Sequence, residues 1–351
     1  AIDLAIYNGR RPYLSGDELI SFESGDPSTF ISFADFKKAF YAQLGWLMEQ
    51  AISLNEAHGK TYQKYLPTPL LSGLFEGPMD DNKRKDLIFG GAKHNSSGGT
   101  NIGFADVCDS LNAIEAALGS GKTTMKDIVN AVRDNFGNNE NNSVRKVLLA
   151  SPKYGTEDPK AIANSQELVS FIFNKYQSHI NYRGGKYRPA YWSMTNHAGL
   201  GKLAWALPSG RMAHQVFSSG ITPESQAADG LTAAYNAVGD LGYMNIPGGY
   251  ALNIKYTPST DPSKIREFIS KFGAMITGYF TNNGMQVQYN IQSYKDLLIA
   301  KENPDKYKDL IVRVSGYSAF FNDLNDAMKD ELIHRTEYNL ETGKAVPFPT
   351  K

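Results

Sequence analysis

Only one cysteine, Cys108, occurs in 351 residues, which excludes an internal disulfide and any multi-cysteine metal centre built from this chain alone. Net charge is also missing: 36 Lys plus Arg balance 36 Asp plus Glu, so the bulk electrostatics point to neither nucleic acid nor an acidic membrane surface. No run of about 18 consecutive apolar residues is present, which excludes an ordinary membrane-spanning helix. The first residues show no basic segment followed by an apolar one, so no secretion signal is visible and a cytoplasmic location is expected. Internal repeats, low-complexity tracts and long Pro/Ser/Gly linkers are lacking too. Small molecules or proteins are the expected partners.

Hydrophobic residues make up 41% and charged residues 21%, the balance of a soluble chain that packs a core. Apolar periodicity predicts helices near 1–8, 33–58, 105–118, 124–136, 160–180, 226–240, 262–281 and 325–339. Ser32 stands where a helix cap belongs, and Gly9 where a left-handed terminating residue is useful. Strand-like segments lie at Tyr191–Asn196, Tyr250–Tyr256, Met285–Ile291 and Leu310–Val314. Strands alternating with helices indicate an α/β architecture. The segment from Ala1 to Ile6 is amphipathic from its first residue with no cap before it, so the chain is expected to begin within a structure rather than ahead of one.

The run Ile311-Val312-Arg313-Val314-Ser315-Gly316-Tyr317 places an isolated glycine directly after β-branched residues. On local grounds it reads as a strand-to-helix turn that needs a positive φ, with a following helix carrying Asp326, Asp330 and Glu331. Its wording and its place near the C-terminus also resemble the glycyl radical motif, Arg-Val-Ser/Ala-Gly-Tyr/Phe. Glycine suits such a role because its α-carbon can flatten when a hydrogen atom leaves, with the flanking amide N and carbonyl sharing the unpaired electron. Gly90-Gly91-Ala92-Lys93-His94-Asn95 with Asp109–Ile114, and the segment from Ser151 to Asp158, are similar to signatures of the same superfamily. The turn Leu207-Pro208-Ser209-Gly210-Arg211 resembles its Pro-Asp-Gly-Arg, with Ser209 in place of Asp.

The resemblance to glycyl radical enzymes implies the C-terminal half of a ten-stranded α/β barrel with surrounding helices. Residues 1–300 would form the barrel part, and residues 301–351 the radical loop and C-terminal helix. It implies a radical stored on Gly316, installed by a separate radical S-adenosylmethionine activating enzyme, with Arg313, Ser315 and Tyr317 supporting the loop and no metal bound by this chain. These enzymes pass the radical to a cysteine in a Cys-x-Glu loop, and nothing here corresponds to that loop. A second, cysteine-bearing chain is therefore expected, this chain being one part of a split anaerobic lyase or dehydratase, or a fragment of one. A repair subunit for an oxygen-damaged enzyme and a formate C-acyltransferase-type activity are the alternatives.

Cys108 itself lies in a helical entry and reads as a buried structural residue. The stretch Leu118-Gly119-Ser120-Gly121-Lys122-Thr123-Thr124 lacks the first glycine of a phosphate loop, since Ala116 stands there. Four residues are substrate-side candidates: Arg188, Trp192, Thr195 and His197. Arg188 and Trp192 fit either a cation and aromatic wall beside a small substrate or a surface Arg with a core Trp. Polar residues cluster around Thr195 and His197, and His197 reads equally as pocket lining or as a satisfied histidine at a strand end. No second histidine has metal-ligand spacing with it.

Overall fold

Ser32 opens the longest helix by a reciprocal cap: its hydroxyl accepts the Asp35 N–H and the Asp35 carboxylate accepts the Ser32 N–H. In the computed structural model, which describes residues 1–80, 84–224, 229–257, 261–339, 342 and 344–346, this helix runs Phe33–Tyr65. It continues past the expected end at 58 because Gly59 does not break it. A β-carbon there would stand 2.1 Å from a ring carbon of Tyr182, so the glycine admits a close aromatic approach in mid-helix.

The helices in chain order are α1 (Ile2–Ile6), α2 (Pro12–Ser15), α3 (Phe33–Tyr65), α4 (Pro69–Ser72), α5 (Phe104–Gly119), α6 (Met125–Arg133), α7 (Ser143–Leu149), α8 (Pro159–Gln177), α9 (Asn196–Leu203), α10 (Leu231–Gly239), α11 (Ile265–Thr281), α12 (Tyr294–Glu302) and α13 (Asp326–His334). The strands are β1 (Ser97–Thr100), β2 (Tyr187–Ala190), β3 (Asn253–Thr257), β4 (Gln288–Asn290), β5 (Ile311–Arg313), β6 (Ser318–Phe320) and β7 (Glu337–Asn339). The start of the helix expected at 226–240 lies partly outside the described residues.

β1 pairs with β2 in parallel, and β3 pairs in parallel with both β4 and β7. The two groups meet where the Tyr191 N–H donates to Gly249 O and the Ala251 N–H to Tyr191 O, each at 3.0 Å. Helical crossovers connect these parallel strands, the geometry of an α/β fold. Successive side chains point to opposite faces. On β3 and β4, one face carries Ile254, Tyr256 and Tyr289; Tyr256 and Tyr289 pack their rings on Phe272 of α11 at 5.1 and 4.9 Å between centroids. The opposite face carries Asn253, Lys255, Gln288 and Asn290, all buried.

Three expectations need correction. The strand placed at 191–196 lies earlier, at 187–190, because backbone pairing ends at Tyr191 and α9 begins at Asn196. The helix expected at 325–339 stops at His334, and 337–339 become β7 against β3. The residues after Gly316 return as β6, antiparallel to β5, so the glycine turns strand into strand. Under this hairpin sits a second apolar core of Ala198, Leu297, Ala300, Val312, Val314, Phe321, Met328, Leu332 and Ile333, separate from the main core between the larger helices.

Candidate functional site

The tip of the β5–β6 hairpin is Val314-Ser315-Gly316-Tyr317, closed by a 2.9 Å bond from Val314 N–H to Tyr317 O. Gly316 occupies the second central position with φ +87°, where turns of this kind favour glycine. A β-carbon on Gly316 would lie 3.4 Å from Cε3 of Trp192. Among the described residues only the Trp192 indole, apart from its own chain neighbours, comes within 4 Å of that point. Gly316 is otherwise exposed, while Ser315 is fully buried and its Oγ has no hydrogen-bond partner among the described residues.

The polar face of β3 and β4 holds this tip. Gln288 Oε1 accepts both the Gly316 N–H at 3.2 Å and the Arg313 Nε–H at 2.7 Å. Asn290 grips the Arg313 backbone from both sides, accepting its N–H and donating to its carbonyl, each at 2.7 Å. Arg313 also donates to Ser318 Oγ across the hairpin at 3.2 Å. From the other side Arg335 donates to Val314 O at 3.1 Å while pairing with Glu331 through both its Nε (3.0 Å) and Nη2 (2.7 Å). Burial, the largest single effect, would raise the Glu331 carboxyl, but the Arg335 guanidinium and His197 together outweigh it and hold the group down at about 2. Lys255 caps the C-terminal carbonyls of α13, donating to Leu332 O and Ile333 O at 3.2 and 2.7 Å.

Of the sequence-derived candidates, Trp192 is the one that meets Gly316. It lies two residues past the end of β2 and is 44% exposed. Arg188 on β2 and Thr195 just before α9 are both exposed. His197 is fully buried: its Nδ1 lies 2.9 Å from Ser193 Oγ, which itself accepts the Gly220 N–H, and its Nε2 stands 3.7 Å from the Glu331 carboxylate. Cys108 is buried in α5, where desolvation pushes its thiol well up. No cluster of His, Cys, Asp or Glu able to hold a metal occurs among the described residues, and no described helix is long and apolar enough to cross a membrane.

Three of the upstream sequence blocks, those holding Asp109, Lys153 and Ser209, converge around a polar cavity lined by Asp106, Asp109, Lys153, Ser209, Arg211 and Glu224, among others. Asp109 accepts the Tyr154 N–H at 2.7 Å, and Lys153 donates to Ser209 O at 3.1 Å, tying three blocks together. Burial raises the Asp109 carboxyl to about 7 against the opposing pull of Lys153. Gln288, Asn290, Asn253 and Arg335 are the site residues that motif reading passes over.

Residues 1–201 match the family model described as pyruvate formate lyase-like, and residues 217–322 match the glycine radical model. Trans-4-hydroxy-L-proline dehydratase of Clostridioides difficile is 32% identical over 342 residues, covering 96% of this chain and 42% of its own. An isethionate sulfite-lyase of Oleidesulfovibrio alaskensis is 29% identical, with 97% and 41% covered. Among solved structures, the glycerol-bound B12-independent glycerol dehydratase from Clostridium butyricum superposes with a TM-score of 0.89 at 28% identity, over 96% of this chain and 42% of that one. The chain thus spans about two fifths of the length of the curated relatives it matches.

Proposed function

Since the chain belongs to the pyruvate formate lyase-like family, we propose that it is the glycyl-radical part of an anaerobic dehydratase or lyase, with the radical stored on Gly316. The setting of Gly316 carries this reading: a side-chain-free α-carbon at a hairpin tip, its amide held by Gln288 and its α-face against Trp192. The turn leaves that carbon free to become planar while the flanking peptides stay fixed.

In this scheme a radical S-adenosylmethionine activating enzyme removes one hydrogen atom from the Gly316 α-carbon. The carbon radical then takes the hydrogen of a cysteine S–H, leaving a thiyl that abstracts hydrogen from a substrate carbon. A neighbouring substrate bond breaks, the thiol returns its hydrogen to the product radical, and the thiyl regains one from glycine. Cys108, sealed in the core, has no place in these steps. The thiol and the remaining strands of a ten-stranded barrel lie outside these residues, on a cysteine-bearing partner chain or on the rest of a longer protein. Residues 1–300 would be the barrel part and 301–351 the radical unit.

Several relatives are named as dehydratases, which favours C–O cleavage of a small polar substrate in a cytoplasmic, anaerobic setting. Trp192 would form a wall of the substrate space, with Arg188 and Thr195 contributing polar contacts and His197 bracing them. Arg313, Ser315 and Tyr317 shape the loop. Anaerobic electron paramagnetic resonance of the chain with its partner, after treatment with an activase proven on a control enzyme, tests the reading. A doublet from the remaining glycyl α-hydrogen, and oxygen-dependent cleavage at Gly316, are expected. Neither signal nor cleavage under those conditions would overturn it.

A further inference from the structure

We infer that Gln288 is the positioning residue of the glycine loop, its single side-chain oxygen fixing and polarising the Gly316 amide. This rests on the radical reading above and extends it from the glycine to the group that holds it. Gln288 is 7% exposed and lies on the polar face of β4. Its amide orientation follows from the neighbours: Nε2 donates to Asn253 Oδ1, and Asn253 Nδ2 in turn faces Ser219 Oγ at 3.1 Å and Thr222 Oγ1 at 3.2 Å. Exchanging the oxygen and nitrogen of Gln288 would set an NH2 group against two N–H donors, Gly316 and Arg313. The oxygen therefore faces the glycine.

Two consequences follow for a carbon-centred radical on Gly316. The electron is shared with the amide nitrogen only while that nitrogen stays coplanar with the α-carbon, and a hydrogen bond to N–H restrains rotation about the N–Cα bond. Accepting that N–H also raises electron density on nitrogen, strengthening its donation to the half-filled orbital, and the buried Asn253–Gln288 chain polarises cooperatively in the same sense. Arg313 shares the acceptor, so the strand that carries the glycine is registered to the same atom. A purely structural Gln288 would alter folding and leave the distribution of the unpaired electron untouched.

The experiment compares wild type with Gln288→Met, which keeps volume and removes the acceptor, and Gln288→Glu, which restores it. Amide hydrogen exchange, read by mass spectrometry with fragmentation to the residue, is measured at Gly316 before activation. The 15N hyperfine coupling of Gly316 is measured by electron–nuclear double resonance on the activated complex of the chain with its partner. Gln288→Met should raise exchange at Gly316 about tenfold, the scale of one lost hydrogen bond, and shift the 15N coupling; Gln288→Glu should move both back towards wild type. Equal exchange in wild type and Gln288→Met overturns the bracket. Faster exchange with an unchanged coupling overturns the polarising role. Absence of any doublet from activated wild type sinks the radical reading of the preceding subsection and the polarising role with it, while exchange still decides whether Gln288 holds the glycine.

Discussion

The indole of Trp192 lies against Gly316 at the position a side chain would occupy, with Cε3 3.4 Å from a β-carbon built there. This places an aromatic shield on one side of the carbon proposed to bear the radical. Trp192 is also 44% exposed, so little of the fold depends on it. Trp192→Ala is expected to cost only about 1 kcal/mol of stability. It should shorten the lifetime of the radical in trace oxygen severalfold, measured as decay of the doublet and appearance of cleaved chain.

Gly316→Ala should fold and fail. The methyl group has room beside the indole, but a positive φ costs an alanine roughly 1–2 kcal/mol. A small drop in unfolding midpoint, with complete loss of the doublet and of turnover, is the expected result. An active Gly316→Ala protein would exclude the glycine from the chemistry.

Ser315 invites the opposite result. Its hydroxyl is buried and has no hydrogen-bond partner among the described residues, so the position demands small size more than polarity. Ser315→Ala should leave radical yield unchanged and hold or raise stability by about 1 kcal/mol, measured by denaturant unfolding.

The Glu331–Arg335 pair sets an acid limit. The carboxyl titrates at about 2 in the fold against 4.5 for the ordinary group. Its stabilisation is therefore fully present above pH about 4.5 and is lost as pH falls through about 2, a span on the order of 3 kcal/mol. Glu331→Gln, which leaves the Arg335 guanidinium buried without its anion, should be destabilised by roughly 3 kcal/mol at neutral pH. Unfolding titrations from pH 7 to 2 should show the difference from wild type shrinking towards the acid end.

Lys255 works in the alkaline range, where its contribution to stability again rises with pH. Burial lowers it to about 8 from 10.5, although Glu337 and Glu331 pull upward, with Arg335 adding to the lowering. Between those values the unfolded chain binds the extra proton, so stability from this group rises with pH. Relative to a non-titrating Lys255→Met, wild type should gain on the order of 3 kcal/mol between pH 8 and 10.5. A flat difference across that range would show that Lys255 does not titrate low in the fold.

Gly316 was legible because its neighbours form a contiguous signature, whereas the direction the chain takes after it was not. A β-branched run ending in glycine fits both strand–turn–helix and strand–turn–strand, and only the non-local pairing of Ser318–Phe320 with β5 decides between them. Tyr191 and Trp192 have strand propensity, yet the pairing partner at 249–251 reaches no further than Tyr191. β1, Ser97-Gly98-Gly99-Thr100, is hidden by its two glycines. The bracket residues left one faint trace, amides at i and i+2 in Gln288-Tyr289-Asn290, which put two polar groups on one face of a short strand. What they hold lies over twenty residues along the chain, and local patterns carry no such information.

The apolar core beneath the hairpin draws on both sides of Gly316, with Val312 and Val314 before it and Phe321, Met328, Leu332 and Ile333 after it. A chain severed at the glycine would therefore not fall into two pieces. The C-terminal fragment would remain seated through α13 and the grip of Arg335 on Val314. Inactivated protein would then keep its native mass and separate only on denaturation, a scar visible to gels with detergent and invisible to gel filtration.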